Sequence, residues 1–285
     1  MGFQSYNKNL LKSISRNFRD ARKTCSSNSI HDFRVGVKRL RSLVGVLSNI
    51  DGSLEVKENE RKFKPIYKAA GKVRDIQVTE ALILKRIVEN NANISEYYNF
   101  LRLTETTAKK NFANVSKNKS AAIFTSLVNV FSKKLSTFTP EFLRRHVGRS
   151  VHASLLRVAA RKEMNSLPKG ELHSLRIDAK DARYRVHVLA SIQKNNGDLI
   201  PVDNWLREIH RAIGIWHDMA VAKEKLEAFL LNQAAKPLYS PKAYDDLKAD
   251  LNRQAEESYH KFLSVWSDKN GILEHAIEQL QKFNV

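Results

Sequence analysis

The chain has 285 residues with 49 Lys/Arg against 30 Asp/Glu, a formal net charge of +19, and such an excess calls for an anionic partner: nucleic acid, an acidic membrane surface or a polymer of phosphates. Apolar residues make up 42%, enough for a packed core, while 10 Gly and 6 Pro are too few for a loop-rich β protein, so the expected class is all-α. A lone Cys25 excludes an internal disulfide and a cysteine-based metal cluster.

No run approaches the length of a membrane-spanning helix, and the N-terminus has no continuous apolar stretch for a signal peptide. The expectation is a cytoplasmic chain with no membrane partner. The charge is uneven: residues 1–142 hold 26 Lys/Arg against 12 Asp/Glu, and residues 143–285 hold 23 against 18. The stretch from Pro237 is mildly acidic and is no part of an anion site.

In chain order, an amphipathic helix runs from about 4 to 25 and stops at S-S-N-S (26–29), which offers N-caps for the next helix. That second helix reaches Ser48 and ends in N-I-D-G-S. Residues 54–70 and 73–90 read as two helices separated by Gly71, followed by helices over 94–117 and 120–135. S-T-F-T-P at 136–140 marks a boundary. The second half repeats the order: helices over 141–164 and from about 172, then 202–213 and 215–233 separated by Gly214, then 242–266 and 271–283. Twelve helices are expected, six in each of two pseudo-symmetric lobes, repeats 1–139 and 140–285 of a single domain.

The repeat rests on residues. H-D-F-R-V-G-V-K-R-L-R from His31 to Arg41 returns as H-S-L-R-I-D-A-K-D-A-R from His173 to Arg183, 142 residues later. Steps of +3, +4 and +3 keep His31, Arg34, Lys38 and Arg41 within about 80° of one helix face, and likewise His173, Arg176, Lys180 and Arg183. Phe33, Val37, Leu40, Val44 and Leu47 occupy another face, as do Leu175, Ala179, Ala182, Val186 and Leu189. One charged stripe is usually just a solvated face. Two in the same phase, each led by His, point to a shared ligand site. Cations about one turn apart suit a regularly spaced anion, since guanidiniums fork onto phosphate oxygens and Lys supplies a movable point charge.

Lys68-Ala69-Ala70-Gly71 with Asp75 and Val78 corresponds to Arg211-Ala212-Ile213-Gly214 with Asp218 and Val221, and Arg19 corresponds to Arg161. These matches argue for duplication, and Arg19, Arg161, Lys68 and Arg211 join the candidate anion contacts. Asp75 and Asp218 repel phosphate. Each is read as a carboxylate at a helix start favoured by the dipole, or as an inward group orienting the motif His or Arg. The other histidines, His210 and His217 among them, show no metal-ligand spacing and read as core or surface residues. Trp205, Trp216 and Trp266 read as core. No nucleophile elbow, Walker loop or dinucleotide fingerprint occurs, so no catalytic residue, metal site or cofactor is expected.

The stretches H-D-F-R-V-G-V-K-R-L-R, G-K-V-R-D-I-Q-V and L-H-S-L-R-I-D-A-K-D-A-R-Y together resemble the CHAD domain, the conserved histidine α-helical domain. The resemblance spans almost the whole chain. It implies a two-lobed helical fold with a basic central surface, binding of inorganic polyphosphate without catalysis and, for some members, location at polyphosphate granules. Carried onto this chain, the ligand-facing set is His31, Arg34, Lys38, Arg39 and Arg41 with His173, Arg176, Lys180, Arg183 and Tyr184. Two departures stand out: Asp181 replaces the basic residue that Arg39 supplies in the first copy, and His187 stands where an acidic residue often follows. A basic nucleic-acid-binding helical protein is the alternative reading.

Overall fold

The structure is a computed structural model, which describes residues 3–48, 56–90, 94–117, 119, 123–124, 126, 133, 136–162, 169–193, 197–232, 241–267 and 271–283. Among these there are nine α-helices, two short 3-10 turns and no strand. The helices are α1 (Phe3–Thr24), α2 (Ser27–Ser48), α3 (Val56–Asn90), α4 (Ser95–Lys117), α5 (Pro140–Lys162), α6 (Leu172–Ala190), α7 (Ile200–Asn232), α8 (Pro241–Trp266) and α9 (Ile272–Gln281). The expected helix over 120–135 falls mostly outside the described residues. No described helix is long and apolar enough to cross a membrane.

Local chemistry explains the element ends. Ser26 caps α2: its hydroxyl oxygen accepts from the Ser29 backbone N–H at 3.2 Å, and its carbonyl accepts from Ile30 N–H. That satisfies donors which the first turn of a helix leaves without a partner. The apolar faces go inward as their spacing predicts. Phe33, Val37 and Leu40 of α2, and Leu175, Ala179 and Ala182 of α6, are fully buried. Burying each large apolar side chain contributes roughly 1.5–3 kcal/mol.

Two expectations fail in the same way. The expected breaks at Gly71 and Gly214 do not occur; α3 (Val56–Asn90) and α7 (Ile200–Asn232) are each one helix. A glycine inside a helix costs only about 1 kcal/mol relative to alanine, which the packing of a long helix easily overrides. Gly71 has its own reason to stay small, because a Cβ there would collide with the Arg34 guanidinium. Asp75 and Asp218 are therefore mid-helix residues, and the helix-start reading of them is overturned.

The packing follows the repeat. α1 packs on α2, α2 on α3 and α3 on α4, matched by α5 on α6, α6 on α7 and α7 on α8. The two sets meet where α2 touches α6 and α3 touches α7. Phe18, Phe33, Phe63 and Phe124 form an aromatic knot under α2 with neighbouring centroids 5.3–6.0 Å apart. Trp205 and Trp266 stack at 5.9 Å, and Trp216 packs partly buried against the same core. A smaller core around Tyr97, Phe229 and Tyr244 joins the far ends of α3, α4, α7 and α8. There Arg86 of α3 pairs with Asp250 of α8 at 2.6 Å. This far clamp fixes α3 against α7, and with it the spacing of the groups between them.

Candidate functional site: a basic cleft between the repeats

The four helices α2, α3, α6 and α7 enclose a cleft of about 770 Å³. Arg34, Lys38 and Arg41 enter it from α2, and Arg176 and Lys180 enter it from α6. The two cation ladders therefore face one space, because α2 and α6 turn their apolar faces into the core and are left with their charged faces opposed. His31 and His173 line the same cleft at the leading ends of the ladders, and Tyr184 lines it from α6.

The cations crowd one another. Burial, followed by the charges of Lys180, Arg34 and Arg176, drives the Lys38 ammonium down to about 7. Burial and then Arg176, Arg34 and Arg41 take Lys180 to about 8. Partial desolvation with like charges close by disfavours the charged form of each amine. The Nε of Arg176 is buried and has no hydrogen-bond partner among the described residues, a condition that costs about 1–3 kcal/mol or more when the group is charged. The cleft is thus under electrostatic stress that an anion would relieve.

The acidic residues of the cleft do not remove that stress. Asp181 is held from behind by Arg157 at 3.0 Å and Arg185 at 2.7 Å. Asp178 is held by Arg161, which also reaches Glu171 at 2.7 Å. Asp75 and Asp218 face the cleft from α3 and α7. Burial pushes the Asp218 carboxyl above its ordinary range, against the pull of Arg176 and Arg74. These two positions are inward carboxylates among the motif cations.

The remaining candidates lie elsewhere. Arg183 points away from the cleft lining to Asp203 at 3.1 Å, an oxygen it shares with His187 at 2.8 Å. Burial raises the Asp203 carboxyl, but His187 and Arg183 outweigh it and hold the group below its usual range. Arg39, Arg19, Lys68 and Arg211 are exposed and do not line the cleft. Arg161 acts behind the wall through Asp178.

Among the lining residues that escaped the sequence reading, four form two pairs across the repeat. Tyr67 and Arg74 come from α3, His210 and His217 from α7. The two histidines, expected in the core or at the surface, are half-buried in the cleft lining. The 143-residue offset that relates Asp75 to Asp218 also relates Tyr67 to His210 and Arg74 to His217, and applying it throughout would have found all four. Tyr67 supports the ladder: its ring lies 4.8 Å from the Arg34 guanidinium and its carbonyl accepts from Arg34 Nη1 at 3.2 Å. His210 is driven down to about 3 by burial and by Arg176, Lys180 and Lys38. His217, its ring 5.7 Å from that of His173, is lowered by burial and Arg176. His31 is lowered by burial and Arg74. These three imidazoles are neutral hydrogen-bonding groups at neutral pH rather than cations.

No curated protein matches the chain at a significant level. Among solved structures, the chain is similar to the CHAD domain from the plant Ricinus communis, with a TM-score of 0.70 and 19% identity, covering 91% of this chain and 90% of that one. It is also similar to PptA from Streptomyces chartreusis, with a TM-score of 0.66 and 14% identity over 93% of this chain and 98% of that one. At these identities the likeness establishes a shared all-α fold. The CHAD domain profile matches residues 6–227, most of the length and both cation ladders, and the chain belongs to the CHAD domain family.

Proposed function

We propose that the cleft binds inorganic polyphosphate and that the chain is a non-catalytic binding module, residues 1–285 forming one domain of two repeats. The observation that carries this reading is the opposition of two cation ladders across one cleft, with mutually repelling amines and a guanidinium N–H that has no partner among the described residues. A flexible chain of phosphates brings one negative charge per repeat to a row of cations about a turn apart, so several contacts form at once. Charge-assisted bonds of this kind contribute about 1.5–3 kcal/mol each before ordering costs. The family resemblance, which implies polyphosphate, supports the same ligand. Residence in the cytoplasm, at polyphosphate granules, belongs to the same reading.

Nucleic acid is the competing anion. The described tryptophans pack in or against the core and offer bases no platform to stack on. Calorimetric titration with long-chain polyphosphate and with single-stranded RNA at about 150 mM salt separates the two. Tight polyphosphate binding with weak RNA binding is expected. Equal affinity for both would make the charge generic and overturn the reading.

A further inference from the structure

Two primary amines from different repeats face the same cavity. Lys38 of α2 and Lys180 of α6 are half-buried at the cleft wall, and among the described residues neither has a hydrogen-bond or ion-pair partner. Each follows a cleft guanidinium by four residues, Arg34 in one case and Arg176 in the other, which places it about 6 Å further along the same helix face. A long, mobile amine and a planar phosphate-binding fork thus sit side by side, twice.

The surroundings fix the state of the amines. Arg34 and Arg41 face them from α2, Arg74 and Asp75 from α3, Arg176 and Asp181 from α6, and His210, His217 and Asp218 from α7. Asp181 is already neutralised by Arg157 and Arg185. With burial and neighbouring cations dominant, Lys38 falls to about 7 and Lys180 to about 8. At neutral pH much of Lys38 is the free amine, the nucleophilic form, whereas an ordinary lysine is almost wholly ammonium.

A neutral amine beside a phosphate clamp suits one class of electrophile, a small carbonyl compound activated by its own phosphate. We propose that Lys38, with Lys180 as the second position, is a site of N-acylation by small acyl phosphates, whose phosphate is held by the Arg34 and Arg176 guanidiniums. The Nζ lone pair forms the new N–C bond to the acyl carbon and the C–O bond to phosphate breaks. Inorganic phosphate leaves and the amine proton passes to water. Atoms and charge balance without any further reagent. The product is an uncharged amide in the middle of a ladder, so acylation removes a cation from the polyphosphate cleft and lowers its affinity. This regulatory consequence rests on the polyphosphate reading. The modification itself rests only on the clamp and the amine.

The test incubates the full chain with acetyl phosphate at neutral pH and follows each lysine by peptide mass spectrometry. Lys68 and Lys72, exposed on α3, are internal controls. Lys38 has about a thousandfold more free amine than an ordinary exposed lysine. Lower basicity surrenders part of that in intrinsic nucleophilicity, as it does for thiols, which leaves a rate advantage on the order of tenfold. Tripolyphosphate should abolish the advantage without slowing the controls. Lys38 and Lys180 reacting no faster than Lys68 and Lys72 overturns the proposal. An undiminished lead with an acyl donor that lacks phosphate overturns the role given to the guanidiniums. Calorimetry of tripolyphosphate on the unmodified chain keeps the two readings apart. Failure to bind sinks the polyphosphate function, and a Lys38 lead in that same protein leaves the acylation standing.

Discussion

The two walls of the cleft occupy matching positions in the sequence repeat and differ in how they carry charge. On the first wall, α2 and α3 present Arg34, Lys38, Arg41 and Arg74, with Tyr67 under the Arg34 and Arg41 guanidiniums at 4.8 and 5.9 Å. On the second, α6 and α7 keep Arg176 and Lys180 but place His210 where Tyr67 stands and His217 where Arg74 stands. Arg183, the partner of Arg41, is engaged by Asp203 outside the cleft lining. The first wall carries three guanidiniums, and the second carries neutral imidazoles around Arg176, whose Nε has no hydrogen-bond partner among the described residues. The ladder is thus common to both walls, and the flanking positions differ.

The largest effect should come from cutting the common ladder on both walls. The double variant R34A/R176A removes one clamp from each, at about 1.5–3 kcal/mol per charge-assisted contact. The expected loss of polyphosphate affinity by calorimetry is about 3–6 kcal/mol, with helicity by circular dichroism unchanged. Affinity retained in the folded double variant would remove the ladders as the site.

Next in size is the pH response at the seam between the walls. A long phosphate chain, which brings more negative charge into the cleft than the Arg34 and Arg176 guanidiniums offset, should restore the ammonium forms of Lys38 and Lys180, so that binding takes up protons and affinity falls as pH rises through about 7 to 8 and beyond. Calorimetry in buffers of different ionisation enthalpy reads the uptake directly. K38R keeps its charge across this range and should flatten the profile. Stability of the free chain moves the opposite way. A lysine with a lowered folded pKa opposes folding below that value, and the penalty fades as pH climbs from about 7 towards 10.5. Unfolding by denaturant at pH 7 and pH 9 should therefore show a higher stability at pH 9 from this group, and less of a difference in K38A.

Exchanging the specialised positions tests the comparison itself. H217R gives the second wall the cation of the first. It should strengthen polyphosphate binding by about 1 kcal/mol and steepen the salt dependence by about one counterion. R74H should weaken binding by a similar amount and also release Ser27, whose hydroxyl accepts from Arg74 Nη1 at 2.5 Å. Equal affinity in the native chain, H217R and R74H would show that the two walls do not differ in function.

The ladder and the apolar faces were legible in the sequence because both are periodic, and a helix turns period directly into direction. His31, Arg34, Lys38 and Arg41 could be placed on one face before any contact was known. Asp203 drawing Arg183 aside could not be read, because the two residues meet only once α6 and α7 are packed. Arg161 likewise stands behind Asp178 through a tertiary pairing that its spacing does not carry. Gly71 and Gly214 misled because glycine is ambiguous within a periodic stretch: it marks a break, a close approach, or neither.

That last ambiguity supplies the smallest and cleanest contrast, since the two glycines are equivalent in the repeat and differ in their surroundings. Nothing lies within 4 Å of a Cβ built on Gly214, whereas one built on Gly71 meets the Arg34 guanidinium. G214A should therefore act only on the backbone, raising stability by about 0.5–1 kcal/mol through helix propensity and a less flexible unfolded chain. Polyphosphate affinity should stay the same. G71A receives the same backbone gain but displaces Arg34 from its place against the Tyr67 ring and carbonyl. Its thermal shift should be smaller and its polyphosphate affinity lower. Parallel melting and titration of the two variants reads the difference between the walls at a single methyl group, and identical behaviour of both would mean that the seat of Arg34 on α3 does not matter to the cleft.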